Sequence, residues 1–125
     1  MTRIDRLEQA ISNLAANADE QHAYLESILA PVSGYNDGRG YGNDELGLEF
    51  DDIFIAVDDV VHCSELSKDQ LQATRLLDEH LGQLWGEQNA DFWARDALWH
   101  DPRWQVVRDL AKKAKKVFQK NQKTR

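Results

Sequence analysis

The feature that most constrains this chain is the spacing of apolar residues at its start. Ile4, Leu7, Ile11, Leu14, Ala18, Leu25 and Ile28 recur at intervals of three and four, with Gln21 in the one position of the series that is not apolar. That period belongs to an α-helix with a single buried face. It predicts one long helix over residues 2–30, ended by Pro31. A seam of this regularity would also suit a coiled coil. In a chain of 125 residues, one domain's worth, the longest helix of a bundle is the expected reading.

The rest of the chain continues in helical punctuation. Five of the seven glycines fall between Pro31 and Gly47, together with Tyr35 and Tyr41, which predicts an irregular loop over residues 31–47. Its length suits either a recognition surface or a mobile connector. A phosphate loop would need a preceding strand and usually a lysine, and here a helix precedes while Asp44 and Glu45 follow. From about Glu45 or Glu49 to Cys63 a second helix is predicted, with Phe50, Ile53, Phe54, Val57, Val60 and Val61 on an arc roughly 120° wide. The run IFIAV would also fit a buried strand, but the chain offers no clear strand to pair with it.

Ser67 and Gln70 have capping-box spacing and start a third helix, whose inward stripe is Leu71, Thr74, Leu77, Leu81 and Leu84. Gly82 and Gly86 mark its end near Leu84 or Trp85. Asn89 is placed to cap a short helix over residues 90–98, carrying Phe92 and Trp93, with Trp99 just beyond. Asp101-Pro102 is a strong start for the last helix, with Trp104, Val107, Ala111, Ala114 and Phe118 inward and an end near Phe118 or Gln119. Residues 120–125 read as a frayed basic tail. The fold expected is therefore all-α: a single domain over residues 1–125, built as a bundle of about five helices.

Charge is distributed unevenly. The net value is −7, made up of −3 over residues 1–30, −8 over 31–67, −3 over 68–100 and +7 over 101–125. Phosphate would be repelled by most of the chain, which argues against nucleic acid as the partner of the main body and favours a basic protein for its middle. Lysines at the C-terminal end, without interleaved aromatic residues, are a weak nucleic-acid signal. They suit the end of a helix dipole and would compensate the acidic helix. Neither a signal peptide nor a run long enough to span a membrane is present, so a cytoplasmic protein with no membrane partner is expected, a monomer before any oligomer. With Cys63 the only cysteine, an intrachain disulfide is excluded.

Few residues offer chemistry. Asp19 with His22, and Asp59 with His62, have the spacing of paired ligands in di-iron bundles, but that motif uses glutamate and needs ligands facing the core. Both pairs lie off the apolar stripes, and Asp96 with His100 has no matching second pair. No metal or other cofactor is expected. Cys63 and His62 are adjacent, so on a helix they point about 100° apart and make a poor nucleophile and base. Trp85, Trp93, Trp99 and Trp104 are expected to weld the short helix to its neighbours, with a ligand pocket as the alternative. No enzyme is predicted.

What remains is the acidic face of the second helix. Asp51, Asp52, Asp58, Asp59 and His62 lie opposite its apolar arc, and Ile55 lies among them. An apolar residue ringed by carboxylates is poorly explained as core and well explained as a contact for a basic partner. Asp44, Glu45, Tyr35 and Tyr41 adjoin it and complete the candidate surface. A small, acidic, helical chain with such a ridge resembles, as a class, the bacterial toxin-immunity proteins of polymorphic and contact-dependent inhibition systems. It lacks the tyrosine-bearing motif of the helical colicin DNase immunity proteins. The resemblance implies tight binding of a cognate basic toxin domain, often a nuclease, with the aspartates steering and Ile55, Tyr35 and Tyr41 anchoring. Two alternatives stay open at this stage. One is a regulatory module or antitoxin-like adaptor, and the other a small metal- or ligand-binding bundle.

Overall fold

A computed structural model of the chain describes residues 2–29, 42–57 and 66–123. Its elements are α1 (Arg3–Ala15), α2 (Ala18–Leu29), α3 (Asp44–Val57), α4 (Lys68–Gly82), a 3-10 segment (Glu87–Trp93), α5 (Ala97–His100) and α6 (Pro102–Lys123). α1 and α6 pack along each other at the centre. α3 lies on α1, α4 lies on α6, and α2 packs on α5. The buried apolar residues form one cluster, from Leu7 in α1 to Phe118 in α6. None of the described helices is long and apolar enough to cross a membrane.

The count of elements corrects the expectation of five helices in two places. The first is the predicted long helix over residues 2–30, which breaks at Ala16 and Asn17. Ala16 is extended, and Asn17 caps the new helix by accepting the Glu20 N–H at 2.9 Å. An asparagine three residues before a glutamate is itself a start signal, hidden because the apolar period runs through it unchanged. Gln21, the misfit of that period, is buried at the break. Its Nε2 donates to the carbonyls of Asn13 and Leu14, at 3.2 and 3.1 Å, which the broken helix leaves without continuation. Its Oε1 accepts from Nε of the buried Arg108 at 3.0 Å, and Arg108 Nη2 donates to the Leu98 carbonyl at 2.6 Å. The Gln21 amide thus ties α1, α2 and α6 together, and the Arg108 guanidinium adds α5.

The second correction concerns the predicted helix over residues 90–98. Instead the chain forms the 3-10 segment, turns at Arg95, and makes the short α5. Asn89 caps nothing; it sits inside the 3-10 segment with non-helical angles, and its Nδ2 donates to the Gln83 carbonyl. The aromatic side chains dictate this path. Phe92 stacks on Trp104, with ring centroids 4.3 Å apart, and Trp93 stacks on Trp85 at the same separation. Both buried indole N–H groups find carbonyls, Trp93 on Leu84 and Trp104 on Phe92, each at 2.8 Å. Of the four tryptophans expected to form one weld, Trp99 stands apart, half-exposed against His22.

Two boundaries also shift: the predicted loop over residues 31–47 is already helical from Asp44, and residues 120–123 of the predicted frayed tail continue the last helix; the capping signals stand as expected. Ser67 and Gln70 form the reciprocal capping box, and Asp101 caps α6 by accepting the Arg103 N–H. Arg103 also grips the Asp101 carboxylate, which holds its pKa below the ordinary aspartate value. All five residues of the predicted α6 stripe are buried, and α6 itself runs to Lys123, four residues past the later of its two predicted ends.

Candidate functional site

α3 begins on a fixed platform. Asn43 is fully buried, and its Nδ2 donates to the Ala94 carbonyl at 2.6 Å. Gly42 precedes it at φ +152, where a Cβ would meet Leu29 and Arg95 at 3.0 and 3.1 Å. Gly47 faces the Trp85–Trp93 stack so closely that a Cβ would lie 3.1 Å from Trp85. The N-terminal half of α3 is therefore seated on indole rings. Of its predicted apolar arc, Phe50, Phe54 and Val57 are buried and Ile53 packs partly against the core, while Val60 and Val61 lie outside the described residues.

The opposite face holds the predicted site residues that the structure describes. Ile55 is 65% exposed, the highest value of any large apolar residue described, and Asp52 is exposed beside it. Asp44, Glu45 and Asp51 are half-buried on the same outward side. Tyr35, Tyr41, Asp58, Asp59 and His62 lie outside the described residues, as does Cys63. Asp44, Glu45, Asp51 and Asp52 make no ion pair with any described residue. Glu45 shows the consequence: burial first, then repulsion from Asp44, Glu49 and Asp52, raises its pKa above the ordinary glutamate value.

Two features of this face escape sequence reading. Leu48 is 38% exposed and lies two turns before Ile55, so both sit on one stripe flanked by Asp44 and Asp51 on one side and Asp52 on the other. The other feature has no local signal: the Tyr24 hydroxyl of α2 donates to the Glu49 carboxylate at 2.7 Å, across 25 residues of sequence. Burial, and then Glu49, push the Tyr24 pKa up to about 12.

Asp19 and His22 take structural places. His22 Nδ1 lies 2.8 Å from Arg95 Nη2, and Asp19 accepts the Trp99 indole N–H at 2.9 Å, so this pair joins α2 to α5. Among the described residues no group of three potential ligands could hold a metal ion. Fold and site together define a structure whose described elements are all helical, with an acid-flanked apolar stripe on one outward helix face. Comparison of the chain with protein-family models, with curated proteins and with solved structures gives no match.

Proposed function

We propose that this chain is a non-enzymatic, protein-binding inhibitor that sets the outer face of α3 against a basic protein domain, in the manner of a bacterial toxin-immunity protein. The observation that carries the reading is Ile55, 65% exposed at the centre of carboxylates that have no cation among the described residues. Leu48 extends the apolar contact, and Asp44, Asp51 and Asp52 supply the field. Charge of one sign around an apolar anchor speeds encounter with an oppositely charged surface, while the anchor slows release. Asp58, Asp59, His62, Tyr35 and Tyr41 belong to the proposed surface on the sequence pattern alone.

The test uses the partner captured from the native host and identified by mass spectrometry. Stopped-flow association at low salt should slow at least about tenfold when Asp44, Asp51 and Asp52 are all changed to Asn, and Ile55→Ala should act on dissociation instead. Unchanged rates in both variants would sink the proposal.

A further inference from the structure

A groove of about 450 Å³ runs between α1 and α3, next to the outer face of α3. The apolar part of its lining is Ala10, Ile53 and the exposed Ala56. Tyr24 closes one end, bonded to Glu49 and adjacent to Asn13, so this end is fixed by three elements. Arg6, two turns before Asn13 on α1, lies about 10 Å along the groove from that end. Asp52 stands on the rim, where it also flanks Ile55.

Charge in the groove is unbalanced, since Glu49 and Asp52 line it against the single cation Arg6. The hydroxyl of Tyr24 satisfies oxygen atoms of Glu49 but brings no positive charge, and Arg6 makes no ion pair with Glu49 or Asp52. An apolar lining beside two carboxylates is the complement of a long side chain with a methylene stem and a cationic head. Neither feature alone would select that ligand, since a carboxylate pair binds any cation and an apolar groove any chain. Resting on the reading of α3 given above, we propose that this groove receives an arginine or lysine side chain of the protein docked on the Leu48–Ile55 stripe, its stem on Ala10, Ile53 and Ala56 and its head between Glu49 and Asp52.

The probe is n-butylguanidinium, with n-butylurea as the uncharged counterpart, titrated into the 15N-labelled full chain. Expected are saturable shifts of the Ala10, Asn13, Ile53 and Ala56 amides at roughly millimolar concentration, absent with butylurea. The Glu49→Gln, Asp52→Asn double variant should bind at least about tenfold more weakly. An Asp109→Asn variant, which removes a carboxylate from α6, should bind as the parent does. Equal shifts with butylurea, or no saturation in the parent chain, would overturn the groove assignment. Ile55→Ser separates the two proposals, because it should leave butylguanidinium binding intact while weakening the protein partner. Loss of the partner with the groove still competent supports both, whereas a partner indifferent to Ile55 removes the α3 reading and leaves groove binding to be judged by the titration.

Discussion

At the junction of α1, α2 and α6, the buried Arg108 guanidinium meets Gln21 Oε1 and the Leu98 carbonyl, and Gln21 in turn closes the end of α1. On the outer face of α3, Asp44, Asp51 and Asp52 stand beside the exposed Leu48 and Ile55 with no cation from the described residues. Both regions mix polar and apolar groups. Inside, burial removes water, so each polar group needs a protein partner and the fold depends on it. Outside, water solvates the charges, and the fold gains little from either the carboxylates or the aliphatic side chains. In these two regions the polar groups differ in whether a described protein group answers them: Gln21 and Arg108 are answered, and Asp44, Asp51 and Asp52 meet no cation.

That contrast can be broken first at Gln21. Gln21→Leu strands the Arg108 guanidinium and two carbonyls together, and a loss of about 3 kcal/mol in urea unfolding is expected. A loss under about 0.5 kcal/mol would make the inner network as dispensable as the outer face. Glu45→Gln comes next, with the opposite sign. Because the folded-state pKa of Glu45 is raised above 4.5, its contribution to stability is present below that value and lost as pH rises through the folded pKa. At pH 7 the variant should be more stable than the parent by less than about 1 kcal/mol, discounted for partial exposure, and the gap should close on acidification. Thermal unfolding at pH 7 and pH 4 measures it. The smallest effect is expected of Ile55→Ser, within about 0.5 kcal/mol of the parent in urea unfolding. A large loss there would mean that Ile55 serves the fold and would remove the reason for assigning it to a partner.

Local chemistry made most of the fold legible. The capping box of Ser67 and Gln70, the Asp101-Pro102 start and the α6 stripe depend on residues within a turn or two of each other, and each stands in the structure as the sequence predicts. Ile55 could likewise be placed outward from helical geometry alone. The failures share a different cause. The break at Asn17 carries a local cap signal, but the apolar period runs on through it, and the partner that explains the buried Gln21 beside it, Arg108, lies far along the chain. The 3-10 path through Phe92 and Trp93 follows from stacking on Trp85 and Trp104, a demand that no helix propensity carries. The Tyr24–Glu49 bond is invisible for the same reason.

The tie from Gln21 to Arg108 also orders events in time. During synthesis α1, α2 and α3 leave the ribosome well before α6 exists, and until Arg108 emerges the Gln21 side-chain oxygen lacks its donor while the α1 stripe lacks the helix that covers it. Packing between residues about a hundred positions apart is slow to nucleate and cannot start early. The N-terminal helices therefore wait, and α3, seated on α1, reaches its final footing only when the last helix arrives. A truncated translation product would present the acidic stripe on an unfinished base.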